Sequence, residues 1–247
     1  MTLEADARPS AGREVVAPGT VDLWLWRLDA GEDEAARLAE LLDPEERARA
    51  GRFVFPVHAR RFVAGRARLR LILQDYLGIP AAALGFAYGP QGKPEVAMPP
   101  GAPPLHFNLS HTGDLAALAV SAEAPLGVDI EHVAPVKEDV AGHFFSAAEQ
   151  AALKALPEAG RERAFFRCWT RKEAMVKALG GGLSIELARF DVTLGPDEPA
   201  RLLRLDGAPD APRRWSLLHF EPAADIVGAV AVPFRQCALV WRSSTSG

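Results

Sequence analysis

Apolar and polar residues alternate along Val21–Arg27, VDLWLWR. A period of two places successive side chains on opposite faces, so this stretch is predicted to be a strand. Glu32–Leu42 has the spacing of an amphipathic helix. Asp43-Pro44-Glu45-Glu46 then opens another, with an acidic N-cap, proline at the first helical position and acids in the first turn. The longest helical pattern of the first half runs from about Val57 to Leu77 and stops at Gly78. Gly89-Pro90-Gln91-Gly92-Lys93-Pro94 reads as a turn, and a proline-rich stretch, Pro99–Pro104, follows. His106–Ser110 and Leu115–Val120 read as paired strands about Thr112-Gly113-Asp114, and Leu126–Glu131 as the next strand. Ser146-Ala147-Ala148-Glu149 has the form of a capping box. Arg161–Leu179 reads as a second long helix, stopped by Gly180-Gly181-Gly182, with strands near 190–194, 215–220, 226–232 and 236–241.

The pattern repeats itself faintly. Leu105-His106-Phe107 followed by Asp114–Val120 recurs as Leu218-His219-Phe220 followed by Asp225–Val232. The helix ending Leu77-Gly78 recurs as the helix ending Leu179-Gly180. Both recurrences are a little over a hundred residues apart. One helix and one hairpin per copy predict an α+β fold of two similar halves joined near residues 121–125. The expected division is a disordered lead-in over 1–19, an N-terminal half over 20–122 and a C-terminal half over 123–242.

Composition narrows the class. The chain has 247 residues, 49% hydrophobic and 24% charged, enough for a sizeable core. A net charge of −4 offers no global field for nucleic acid. No apolar run approaches the ~20 residues that span a bilayer, and the polar start has no apolar leader core. The two cysteines, Cys168 and Cys237, are far apart, so a reducing cytoplasm is the default and a disulfide framework is not expected.

Chemistry concentrates in four places. In Gly127-Val128-Asp129-Ile130-Glu131 the strand period puts Asp129 and Glu131 on one face. Adjacent carboxylates repel unless a cation lies between them, although a solvated strand face is the commoner origin of such a pair. On the helix 161–179, at about 100° per residue, Glu173 falls amid Phe166, Trp169, Val176 and Gly180, with Lys177 one turn on and Arg167 and Arg171 opposite. That face should turn inward, and a buried carboxylate needs a partner. Lys177 at i+4 is one candidate; a metal shared with Asp129 and Glu131 is the other. Oxygen ligands without His or Cys suit a hard cation such as magnesium. Ser110-His111 lies at a strand end, as in a ligand contact, a serine–histidine hydrolase fragment or an ordinary strand terminus, and no GxSxG elbow supports the hydrolase. Arg60, Arg61, Arg66, Arg68 and Arg70 load the first long helix, and Lys93 sits in the Gly92-Lys93-Pro94 turn. Arginine matches phosphate geometry, but a solvated face is the ordinary explanation, and Arg68 and Arg70 are assigned to it.

The ordered set of these motifs resembles the Sfp-type 4′-phosphopantetheinyl transferases. The match runs through Gly92-Lys93-Pro94, Phe107-Asn108-Leu109-Ser110-His111 and Gly127-Val128-Asp129-Ile130-Glu131. It continues through Phe144-Phe145-Ser146 with Glu149, then Trp169-Thr170-Arg171-Lys172-Glu173-Ala174 with Lys177 and Gly180. It extends from about Asp43 to Gly182; beyond Leu183 only strand content is similar. The resemblance implies two pseudo-symmetric α/β halves with coenzyme A in the cleft between them. It implies Asp129, Glu131 and Glu173 as ligands of a magnesium ion, Glu173 as base, and Lys177 on the pyrophosphate. Ser110 and His111 become phosphate contacts, with Lys93 in the turn that binds adenine and phosphate. In one departure, Pro56 stands at a commonly basic position, leaving Arg52, Arg60 or Arg61 for the 3′-phosphate of coenzyme A.

The activity so implied is transfer of 4′-phosphopantetheine from coenzyme A to a serine of an apo acyl, peptidyl or aryl carrier protein, releasing 3′,5′-ADP. The expected partners are the carrier and coenzyme A, with neither nucleic acid nor membrane, and the chain is expected to act as a monomer. Two rivals use the same residues differently: a magnesium-dependent nucleotide pyrophosphate hydrolase and an inactive carrier-binding module.

Overall fold

The computed structural model describes residues 14–89, 92–97, 104–136, 139–182 and 185–243. Most of the expected lead-in, the centre of the turn at 90–91 and most of the proline-rich stretch lie outside them.

The strand β1 (Thr20–Arg27) leads into three helices, α1 (Glu32–Ala39), α2 (Pro44–Ala50) and α3 (Pro56–Leu77). The α2 start is as the sequence predicts. Asp43 accepts from the Glu46 amide while the Glu46 side chain accepts from the Asp43 amide, with Pro44 at the first position. Helix α3 ends where Gly78 takes a left-handed conformation, φ 68°. A short hairpin follows, β2 (Phe86–Tyr88) and β3 (Pro94–Val96), which the alternation was too brief to reveal. Then come the predicted hairpin, β4 (His106–Thr112) and β5 (Leu115–Ser121), and β6 (Gly127–His132). The second half continues with α4 (Val140–Phe144), α5 (Ala147–Ala155), α6 (Glu158–Leu179), β7 (Phe190–Val192), β8 (Leu202–Leu205), α7 (Ala211–Arg214), β9 (Ser216–Ala223), β10 (Ile226–Val232) and β11 (Ala238–Arg242). The Ser146–Glu149 capping box forms as predicted.

Each half builds the same three-stranded core. In the first, β1 pairs antiparallel with β5 and β5 with β4. In the second, β6 pairs antiparallel with β10 and β10 with β9. One long helix covers each sheet, α3 over Trp24, Leu118 and Val120, and α6 over Ala229 and Ala231. The opposite faces meet: Val21, Leu23, Leu115, Ala117 and Ala119 from one sheet pack with Val128, Ile130, Ile226 and Val230 from the other. The order is helix, sheet, sheet, helix around a shared apolar centre, the α+β fold expected.

Among the described strands, one pairing crosses the expected boundary. Strand β11 belongs by sequence to the second half but lies parallel to β1, with Thr20 beside Ala238 and Leu23 beside Trp241. Its Arg242 reaches Asp22 at 3.1 Å. Asp22 is fully buried and also accepts from the Tyr76 hydroxyl at 2.7 Å. Asp22 on β1 stands opposite Val120 and Asp129 on β6 opposite Ala229, each on the face turned toward the long helix of its half.

The arginine helix is not a solvated face. Arg70 is fully buried and donates to Glu46 at 2.8 Å, to Asp43 at 2.8 Å and to the carbonyls of Ala81 and Leu84. Arg66 joins Glu46 from the other side at 2.7 Å. The assignment of Arg70 to solvent is corrected: all its donors are satisfied, and α2 is fastened to α3 through it. Arg68 pairs with Glu34 of α1 at 3.6 Å, with most of its side chain covered.

Candidate active site

The site forms where β4 of the first half runs beside β6 of the second. The two point the same way and are joined by side chains. Asn108 accepts from the Val128 amide at 2.8 Å, Ser110 donates to Asp129 at 3.0 Å, and Thr112 donates to Glu131 at 3.2 Å while accepting from the His132 amide. The alternation that places Asp129 and Glu131 on one face of β6 also places Asn108, Ser110 and Thr112 on one face of β4. Asn108 and Thr112 had no assigned role, yet this second polar alternation was present in the sequence.

Helix α6 comes down on that face at Gly127. A Cβ there would lie 2.0 Å from the Ala174 carbonyl and 2.6 Å from the Ala178 amide. Only glycine allows this approach, which brings residues 173 and 177 over Asp129. The helix is buried nearly all round, so its polar residues need partners inside. Arg171 is buried rather than facing away, donating to the Thr193 carbonyl and hydroxyl. Burial, with the nearby Arg167 charge, lowers its pKa to about 10. Lys172 is held by both Glu149 oxygens, at 2.7 and 2.8 Å, and by the Phe190 carbonyl at 2.6 Å. The capping-box glutamate of α5 thus doubles as an anchor for α6.

Lys177 sits within reach of three acceptors. Its ammonium is 2.6 Å from Asp129 Oδ1, 3.1 Å from the Ser110 hydroxyl and 3.1 Å from the Val128 carbonyl. The intrahelical pairing with Glu173 entertained from the sequence is therefore not what forms; Asp129 holds the lysine. Glu173 makes no hydrogen bond or ion pair among the described residues. Burial raises its pKa, the Asp129 charge adds to this, and Lys177 opposes it. Glu131 is raised by burial and by Asp129, and Glu173 contributes further. Asp129 is itself raised by burial, against the pull of Lys177 and Ser110.

The three acids are thus electrostatic neighbours. Among the described residues, however, no group of three His, Cys, Asp or Glu side chains stands ready to hold one metal ion. The fit of a cation is a matter of donor chemistry. Asp129 is 4% exposed, and its Oδ2 is buried with no hydrogen bond. An unpartnered buried carboxylate oxygen beside two half-buried acids, all raised, is an arrangement that a hard divalent cation satisfies.

The remaining candidates divide. His111 is exposed; desolvation lowers its pKa, and the charge of Lys177 lowers it further. Lys93 is committed elsewhere: it donates to the Leu126 carbonyl at 2.8 Å and the Lys177 carbonyl at 3.0 Å. Arg61 is tied to Asp29 at 2.8 Å and to the Gly113 carbonyl at 3.1 Å, and Arg60 only approaches Glu32 at 4.0 Å. Arg52 is exposed and forms no ion pair among the described residues.

Family models match both halves: the 4′-phosphopantetheinyl transferase superfamily over residues 125–231 and the 4′-phosphopantetheinyl transferase N-terminal region over 26–123. The chain is 42% identical to the 4′-phosphopantetheinyl transferase HetI of Nostoc sp. over 214 residues, 86% of this chain and 87% of that one. It is 38% identical to the 4′-phosphopantetheinyl transferase psf-1 of Bacillus pumilus, covering 69% of this chain and 73% of the other. Against the 4′-phosphopantetheinyl transferase Sfp of Bacillus subtilis it is 31% identical, over 67% and 72% of the two. No helix among the described residues is long and apolar enough to cross a membrane. With both halves matched and the motif residues converging where the halves meet, the chain belongs to the 4′-phosphopantetheinyl transferase superfamily.

Proposed function

We propose that the chain transfers 4′-phosphopantetheine from coenzyme A to a serine of a carrier protein, with Asp129, Glu131 and Glu173 holding a magnesium ion. The observation that carries this reading is the unpartnered Asp129 Oδ2, set beside two raised carboxyls and the Lys177 ammonium where the halves meet.

The serine oxygen attacks the β-phosphorus, the bond to the departing 3′,5′-ADP breaks, and the serine proton must leave. A divalent cation held by Asp129, Glu131 and Glu173 would supply neutralisation of the charge that builds on the pyrophosphate. Lys177 supplies a second, fixed positive charge on its own side of the cleft, and Ser110 and His111 supply polar contacts to phosphate oxygens. Glu173 takes the serine proton. Burial of Asp129 beneath α6 and beside β4 keeps these groups oriented before substrate arrives. Arg52 is the basic side chain left for the 3′-phosphate.

The test is incubation with coenzyme A and a panel of apo carriers, with magnesium or with a chelator, weighing intact proteins. The expected result is a carrier heavier by one phosphopantetheine only with magnesium. Release of free phosphopantetheine without a heavier carrier would favour the hydrolase, and carrier binding without either product would favour the inactive module.

A further inference from the structure

Lys93 comes from the β2–β3 turn of the first half, yet both its acceptors belong to the second half. The Leu126 carbonyl lies immediately before β6, and the Lys177 carbonyl lies in the last turn of α6. The last carbonyls of a helix have no partner within it, and a cation there also meets the negative end of the helix dipole. Burial lowers the Lys93 pKa, with Glu95 opposing and Lys177 adding to the shift.

The two carbonyls flank the point where Gly127 lets α6 touch β6, at Ala174 and Ala178. A single ammonium therefore braces the start of the strand carrying Asp129 against the end of the helix carrying Lys177. From that fixed backbone the Lys177 side chain turns to Asp129, Ser110 and the Val128 carbonyl. We propose that Lys93 is a positioning residue for transfer. Its ammonium clamps the Lys177 backbone to the β6 start and sets the reach of the Lys177 side chain, instead of contacting a phosphate of coenzyme A. The inference rests on the proposed role of Lys177 in transfer, but the clamp itself does not.

The experiment separates the two. Amide hydrogen exchange is compared in wild type, Lys93→Met and Lys93→Arg, without substrate. Loss of the clamp should speed exchange in the last turn of α6 by about tenfold while the middle of the helix is unchanged. Unchanged exchange in that turn overturns the clamp whatever the enzyme does. In parallel, calorimetric titration gives the Kd for coenzyme A, and steady-state assays give kcat and KM. Lys93→Met should lower kcat about ten- to a hundredfold, as misplacement of a reacting group does, with the Kd within about twofold. Lys93→Arg, which can still donate to both carbonyls, should recover most of kcat. A tenfold weaker Kd with unchanged kcat would make Lys93 a phosphate ligand and overturn the proposal. A fall in melting temperature with unchanged kcat would reduce it to a structural tie and also overturn it. If wild type modifies no carrier, the transfer reading fails, while the exchange result still decides the clamp.

Discussion

The ammonium of Lys177 lies 2.6 Å from Asp129, and Glu173, one turn earlier on the same helix, is left without a cation. Removing the lysine strands a carboxylate that is 4% exposed. Lys177→Met should therefore destabilise the metal-free protein by about 2 kcal/mol, reduced from the value for a fully buried pair because the lysine is partly exposed. At this size that is roughly 4–8 °C in Tm. Magnesium should restore much of the loss, whereas transfer should stay about a hundred- to a thousandfold slower. Melting scans with chelator and with magnesium, alongside turnover, check both halves. An unchanged Tm in chelator would mean that the pair contributes nothing, and normal turnover would remove Lys177 from the chemistry.

Glu173 should behave in the opposite way. Its carboxyl is raised above the ordinary 4.5 by burial and by Asp129. A raised carboxyl binds its proton more tightly folded than unfolded, so its contribution weakens as pH climbs from the unfolded to the folded pKa, and the deficit is complete above the latter. Glu173→Gln should stabilise the metal-free protein at neutral pH by about 0.5 kcal/mol, roughly 1–2 °C, while abolishing transfer. The gap between variant and wild type should open above pH 4.5 and close when magnesium is added. His106, His111 and His219, all lowered mainly by burial, slope the other way, but they are common to both proteins and cancel in the difference. A Tm difference that does not change with pH would show that the carboxyl charge is not what the substitution removes.

At Gly127 the expectation is steric. Gly127→Ala places a methyl carbon 2.0 Å from the Ala174 carbonyl, so helix or strand must move. The cost should be about 3 kcal/mol, with Lys177 displaced from Asp129 and kcat reduced. Gly160→Ala is the control: nothing lies within 4 Å of its added carbon, and it sits in the first turn of the same helix. It should be neutral or stabilising by up to about 1 kcal/mol in a denaturant titration. Equal effects at the two sites would remove the close approach as the cause.

Arg52 is singled out by what occupies its neighbours. Arg61 is engaged by Asp29 and the Gly113 carbonyl, and Arg60 is only loosely placed near Glu32. Arg52→Ala should raise the KM for coenzyme A about tenfold, the worth of one charge-assisted hydrogen bond. It should leave dephospho-coenzyme A, which lacks the 3′-phosphate, unaffected. The same increase with both substrates would place the 3′-phosphate elsewhere.

Much of this was legible because it is local. The strand carrying Asp129 and Glu131, the helix carrying Glu173 and Lys177, the acidic N-cap at Asp43, the capping box at Ser146 and the glycine that ends each long helix follow from period and turn chemistry. The paired halves were legible because the repeat preserves both. What could not be read was the choice of partners across the chain. An arginine on a helix has the same local pattern whether it faces water or, as Arg70 does, two acids and two carbonyls contributed by other elements. Likewise i+4 spacing allows Lys177 to meet Glu173, and only the close approach at Gly127 and the adjacent β4 decide for Asp129. Helix α6 was misread on one face because amphipathic reasoning assumes a solvent side, and a helix wedged between a sheet and α5 has little of one.

The parallel pairing of β11 with β1 has a consequence for how the protein is made. On the ribosome β1 emerges well before its partner at Ala238–Arg242. Until then one edge of β1 is bare and the buried Asp22 lacks its arginine. The β6–β10–β9 sheet can close as soon as Val232 is out, so the later-synthesised half completes its sheet first, and the first half waits with a strand edge open to whatever chain lies nearby.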